Sequence, residues 1–98
     1  MMPNDDNNNV ISPEEETVRR VVLLLGRHPL LWRRLELFLA NWLETFGEPL
    51  DVSTLQAATP LDFVMRLRAM GVARVQISLS GRVLVRQGPL AEGLSVEN

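Results

Sequence analysis

The stretch GVARVQISLSGRVLVRQG, residues 71–88, has the pattern of two short strands around a tight turn. In its first half the apolar residues Val75, Ile77 and Leu79 alternate with polar ones. This two-residue period is typical of a strand with one buried face, because successive side chains point to opposite sides of a sheet. The stretch therefore predicts a β-hairpin at the C-terminal end of the fold.

The length of the loop decides which side chains share a face of this hairpin. Val83 and Val85 are the inward residues of the second strand, and a two-residue turn would mix them with polar partners. A three-residue loop at residues 80–82 instead pairs Leu79 with Val83 and Ile77 with Val85. We predict the three-residue loop, because it keeps all the apolar side chains on one face.

The same register predicts a cluster of positive charge outside the core. It places Arg74 and Arg86 together on the outer face, with Arg82 at the tip of the loop. All ten basic residues of the chain are arginine, and arginine forms planar, bidentate contacts with phosphate and carboxylate groups. The hairpin is thus a candidate surface for an anionic partner, although the arginine usage also fits codon bias in a GC-rich genome.

Two helices are expected in the N-terminal half of the chain. Ser12 and Pro13 fit the cap and first position of a helix whose apolar stripe is Val18, Val21, Val22 and Leu25. A second helix is expected from Pro29 to Phe46, ended by Gly47. Its broad apolar face, extended by Trp32, is predicted to contain the following residues: Leu31, Leu35, Phe38, Leu39, Trp42, Leu43 and Phe46. Leu37 lies among polar residues on the opposite face.

The segment that leads into the hairpin contains a compact connection and one more helix. Residues 49–52 suit a short extended piece, and residues 53–58 suit one or two turns of helix capped by Ser53. Thr59 then caps a helix predicted from Pro60 to Met70 and ended by Gly71. Its predicted buried residues are Leu61, Phe63, Val64, Leu67 and Met70.

Composition argues against several classes of function. The chain has no cysteine, no lysine and a single histidine, His28, which has no evident catalytic partner. We therefore expect no enzyme activity, no catalytic residues, no metal and no small-molecule cofactor. The N-terminus lacks the pattern of a secretory signal, and charges interrupt the apolar region at residues 21–46. We expect a cytoplasmic protein with no membrane partner.

Charge separates the body of the chain from its ends. Residues 1–16 carry a net charge of −5, residues 17–90 carry +5, and the last eight residues carry −2. The composition predicts a disordered acidic tail at 1–11, one domain at 12–90 and a flexible tail at 91–98. A basic body of this kind attracts anions.

The order of elements resembles the winged helix-turn-helix superfamily from residue 29 to residue 89. The similarity rests on PLDVSTLQAATPLDFVMRLRAMGVARVQISLSGRVLVRQGP, residues 49–89, which has a short strand, a helix, a turn, a recognition helix and a hairpin wing. The resemblance implies a mainly α fold with a C-terminal β-hairpin, and an additional N-terminal helix of the kind used for dimerisation. It also implies a homodimeric transcriptional regulator that binds double-stranded DNA, with Arg66 in a groove and Arg74, Arg82 and Arg86 on phosphates.

A protein-interaction module is the alternative hypothesis. The wide apolar face at residues 30–46 and the exposed position of Leu37 suit an adaptor, an assembly factor or a small subunit of a complex. The residues predicted for such a partner or dimer interface are Trp32, Leu37, Val18 and Leu25.

Overall fold

Three α-helices and a three-stranded antiparallel sheet make up the computed structural model, which describes residues 12–90. The elements in chain order are α1 (Pro13–Gly26), β1 (Arg33–Arg34), α2 (Leu35–Phe46), a 3₁₀ turn (Val52–Leu55), α3 (Pro60–Ala69), β2 (Ala73–Ile77) and β3 (Val83–Gln87). The predicted mixture of helices with a C-terminal hairpin is confirmed. The predicted tails at 1–11 and 91–98 lie outside the described residues.

Helix α1 begins at the predicted capping box. The Ser12 hydroxyl accepts a hydrogen bond from the Glu15 amide at 3.1 Å, and the Glu15 carboxylate accepts from the Ser12 amide at 3.4 Å. The helix packs within its own chain and buries Val21 and Leu25 completely. Leu25 is therefore unavailable to a second copy, so its predicted interface role is wrong. Val18 is half-buried against the same core.

The sheet has the order β1-β3-β2, and its first strand was not predicted. Arg33 pairs with Val85 and Arg34 with Leu84, where the sequence predicts the start of a helix at Pro29. Helix α2 instead begins at Leu35. Pairing with the edge of β3 satisfies backbone groups of β1 that a helix would otherwise satisfy, and tertiary contacts of this kind override local propensity.

The hairpin exists, but its register differs from the prediction by two residues. Ile77 pairs with Val83 and Val75 with Val85, and the Ser78 amide bonds the Arg82 carbonyl at 2.9 Å. The loop therefore holds three residues, 79–81, and Leu79 is fully exposed in it rather than buried. A shift of two residues preserves the side-chain alternation, so Val75, Val83 and Val85 still face the core.

Helix α2 supplies the centre of the core through Phe38 and Trp42, which are both buried. The Trp42 ring meets the Phe46 ring edge-on at a centroid distance of 4.8 Å. Leu31 and Leu43, predicted on the core face, are each about half exposed. Leu31 precedes the helix, and Leu43 lies beyond the arc that Phe38 and Trp42 define.

The connection to α3 contains no strand at residues 49–52. Asp51 instead caps the 3₁₀ turn, accepting hydrogen bonds from the Ser53 amide at 3.0 Å and the Ser53 hydroxyl at 2.6 Å. Thr59 caps α3 as predicted, accepting from the Asp62 amide at 3.0 Å. The buried residues of α3 are Phe63, Val64 and Leu67, whereas the predicted core residues Leu61 and Met70 are 41% and 39% exposed.

Candidate nucleic-acid interface

The outer face of the sheet, which is the side away from the core, carries three arginines. Arg74 and Arg86 are direct cross-strand partners, and Arg34 pairs with Leu84 on the other side of β3. Alternation along each strand sends these side chains away from Val75 and Val85, which face the core. We call Arg34, Arg74 and Arg86, with the adjacent Trp32, the arginine face.

Trp32 contacts one arginine of the arginine face. The Arg86 guanidinium carbon lies 5.3 Å from the centroid of the Trp32 ring, within the range of a cation–π contact. Such a contact holds a guanidinium over an aromatic ring while the group keeps its charge and its donors. Trp32, predicted as a partner residue on the second helix, lies directly before β1 and outside α2.

A groove of about 450 Å³ extends the arginine face toward α3. Trp32, Arg68 and Arg74 line it, together with Gln76 from strand β2. Arg68 is exposed, although it directly follows the buried Leu67 in α3. The groove thus adds a fourth arginine to the same region.

Glu36 shares a cavity with Arg34 at one edge of the arginine face, but the sequence that contains β2 and β3 carries charge of one sign. From residue 63 to residue 91 the sequence holds five arginines and no aspartate or glutamate. Strand β1 consists of two arginines, so none of the three strands contains an acidic residue. Positive charge in such a run attracts phosphate at long range and is screened by salt.

Two of the four predicted DNA-contacting arginines lie apart from this cluster. Arg82 follows the hairpin loop and shares a cavity with Arg34, Glu36 and Leu37, so only Arg34 connects it to the arginine face. Arg66 pairs with Asp62, with Nε 3.4 Å from Oδ2, and it lines a cavity with Glu14. Carboxylates therefore offset the charge of Arg66, which weakens its predicted role in a DNA groove.

Sequence reasoning missed Arg34 and Arg68 as members of the cluster. A two-residue strand has too few positions to show a two-residue period, so nothing in the pattern separated Arg34 from a helix. For Arg68, the only indication in the sequence was its position on α3 relative to Phe63, Val64 and Leu67, which define the buried side of that helix.

Helix α2 presents a separate, apolar surface. Leu37 and Leu43 are 48% and 50% exposed, and Ala40 between them is also exposed. Residues three apart are neighbours on a helix, so these three side chains form one ridge. We call Leu37, Ala40 and Leu43 the α2 ridge. The predicted exposure of Leu37 is confirmed.

Residues 12–90 hold no group of three histidine, aspartate or glutamate side chains that could bind a metal ion. Within the same range, no helix combines the length and apolar character needed to cross a membrane. Comparisons of the chain with protein-family models, with characterised proteins and with solved structures return no match.

Proposed function

We propose that the chain is a non-enzymatic DNA-binding protein whose arginine face lies against the phosphate backbone of a duplex. The observation that carries the proposal is the convergence of Arg34, Arg74 and Arg86 on one side of a sheet that has no acidic residue. Arg68 extends the same surface. Arginine pairs with phosphate through charge-assisted hydrogen bonds, which are stronger than neutral ones.

The order of elements supports the resemblance to winged-helix proteins in a modified form. Under this proposal the short strand is β1, the helix pair is α2 and α3, and the hairpin β2–β3 is the wing. Helix α3 offers few side chains that read base edges, since direct readout needs several donors and acceptors in the groove. Phosphate contacts position a protein without specifying sequence, so we expect affinity for duplex DNA with little sequence preference. A role in transcriptional regulation would then depend on a partner protein.

Salt dependence of duplex binding tests the proposal. With four arginines each neutralising one phosphate, the logarithm of the affinity should fall against the logarithm of salt concentration with a slope of about −3.6, at roughly −0.9 per phosphate. Arg34→Gln and Arg74→Gln should each flatten the slope by about one. Fluorescence anisotropy of a labelled 20-base-pair duplex measures these slopes.

Arg19→Gln is the matched control for these variants. Arg19 is exposed on α1, so its loss changes the net charge equally but removes no contact of the arginine face. An Arg19 variant that flattens the slope as much as the Arg34 variant would show that only net charge matters. Absence of duplex binding at 50 mM salt would refute the proposal itself.

The α2 ridge favours a second candidate function, a protein-binding module that uses this helix as a homodimer or partner interface. Two half-exposed leucines in one row are the specific observation. Sedimentation equilibrium should show concentration-dependent dimers that Leu37→Ser weakens at least tenfold. Leu79→Ser is the control, because Leu79 is a fully exposed leucine in the hairpin loop and is not part of the α2 ridge. A monomer at all concentrations would exclude the homodimer.

A further inference from the structure

Arg33 lies on the opposite side of β1 from Arg34 and points toward the core. Its strand partner Val85 is completely buried, and Arg33 itself is only 4% exposed. A charged side chain in such a position normally has a carboxylate or several hydrogen-bond acceptors around it, because an isolated buried charge is strongly unfavourable.

No described residue provides that compensation. The Nε and Nη1 atoms of Arg33 are buried without a hydrogen-bond partner. The ion pairs among residues 12–90 involve Arg20 and Arg66, and none reaches Arg33 within 4.0 Å. Burial lowers the pKa of Arg33 from its ordinary value, yet a guanidinium keeps its proton in proteins. The charge therefore remains, and no carboxylate among residues 12–90 forms an ion pair with it.

Arg33 lines a cavity of about 450 Å³ between the C-terminal end of α1 and helix α2. The cavity is far larger than a water molecule needs and falls within the range of small-molecule sites. Arg27 and His28, which directly follow α1, also line the cavity, and so do Asn41 and Thr45 of α2. The Arg27 Nη1 atom lies 3.4 Å from the Thr45 hydroxyl, so this contact joins the two helices beside the cavity.

Most of the polar groups around the cavity can donate hydrogen bonds. The two guanidinium groups, the Asn41 amide and the Thr45 hydroxyl all do so. Glu44 is the single acidic residue in the lining, and it is exposed and forms no ion pair with Arg33 or Arg27. The lining therefore favours an anion, with Glu44 as an opposing charge.

We propose that this cavity binds the phosphate or carboxylate group of a small molecule, with Arg33 as the central ligand and Arg27 and His28 beside it. Arginine recognises both oxyanions through the same charge-assisted hydrogen bonds. The site is distinct from the arginine face, because Arg33 and Arg34 are successive residues of one strand and project to opposite sides of the sheet. It goes beyond duplex binding and does not depend on it.

Two-dimensional NMR of the ¹⁵N-labelled chain tests the site with inorganic phosphate and with acetate, each against chloride at constant ionic strength. The Arg33 Nε–Hε signal and the backbone amides of Arg27 and His28 should shift and saturate with one common dissociation constant. We expect tighter binding of phosphate than of acetate because phosphate carries more charge at neutral pH. Saturable binding of either probe supports the oxyanion site and assigns its chemistry.

Variants separate this site from general ion effects. Arg33→Met keeps an unbranched apolar stem, removes the charge and should weaken phosphate binding at least tenfold. Glu44→Gln should strengthen it severalfold by removing the opposing charge. Arg19→Met, which removes an exposed charge elsewhere on α1, should leave it within twofold of the unaltered chain.

Two results would overturn the proposal. One is that neither probe shifts the Arg33 Nε–Hε signal saturably in the unaltered chain, a measurement that needs no variant to fold. The other is that Arg33→Met and Arg19→Met bind phosphate equally well. The Arg33→Met variant should bind duplex DNA as tightly as the unaltered chain. A failure to bind phosphate would therefore not contradict the DNA-binding proposal, and a failure to bind DNA would not contradict the oxyanion site.

Discussion

Gly88 is the position where a single methyl group should do the most damage. It follows β3 and its amide donates a hydrogen bond to the Val72 carbonyl at 2.9 Å. A Cβ atom at residue 88 would lie 2.5 Å from the Ala73 nitrogen, the Gly71 oxygen and the Val72 carbonyl carbon. Each distance is 0.9 Å short of the 3.4 Å at which ordinary contact begins. The obstacles are backbone atoms, which cannot rotate away.

The cost of Gly88→Ala follows from these contacts. Separating the two backbone segments resembles overpacking of a core, which costs about 1–3 kcal/mol. It also strains the hydrogen bond from Gly88 to Val72 and the one from Leu90 to Gly71, each worth about 1 kcal/mol. We expect a loss of roughly 3–5 kcal/mol, a large part of the 5–15 kcal/mol that holds a typical domain together.

Urea unfolding followed by tryptophan fluorescence and by circular dichroism measures this loss. Gly81→Ala is the control, because Gly81 has a positive φ of 86° but no atom within 4 Å of the added Cβ. It should cost only the strain of the left-handed backbone, about 1–2 kcal/mol. The reasoning is refuted if Gly88→Ala unfolds within 1 kcal/mol of the unaltered chain, or if it is no less stable than Gly81→Ala.

Three further changes test other parts of the fold. Phe63→Ala should cost about 3–5 kcal/mol by urea unfolding, because the ring is completely buried; a loss below 1 kcal/mol would mean that the core collapses around the gap. Thr59→Ala should cost about 1 kcal/mol by removing the cap of α3, whereas Ser80→Ala, away from any helix start, should cost less. Hydrogen bonds from the Ser53 side chain and then its amide lower the pKa of Asp51, so Ser53→Ala should raise that pKa toward the ordinary value of about 3.9 in an NMR titration. A carboxyl group whose pKa is lower in the folded state stabilises the fold above its unfolded pKa, and this contribution is lost as the pH falls through the folded pKa. The unaltered chain should therefore lose more stability below about pH 4 than the Ser53→Ala variant does. Equal losses of stability in the two proteins would contradict the capping role of Asp51.

The sequence predicted those parts of the fold that local patterns encode. The capping residues Ser12 and Thr59 mark the starts of α1 and α3 correctly, since a cap is a short-range hydrogen bond. The period of two in the hairpin placed Val75 and Val85 on the core face even though the register was shifted, because alternation survives any even shift.

The elements that depend on distant pairing were not predictable in this way. Strand β1 exists only because β3 lies beside it, and two residues carry no periodic signal. That one omission concealed the burial of Arg33, the exposure of Arg34 and the position of Trp32 against Arg86. The candidate surfaces therefore followed from tertiary structure, while the arginine-rich composition indicated only the type of chemistry.

The two-residue length of β1 also has a consequence for motion. An edge strand with two paired residues has few hydrogen bonds to break, and such segments open locally at far lower free energy than the whole domain. Opening would hydrate the Arg33 guanidinium, so the buried charge itself favours release of this strand from β3. Amide hydrogen exchange at Arg33 should therefore be much faster than at Leu84 and Arg86, whose amides face β2 rather than β1.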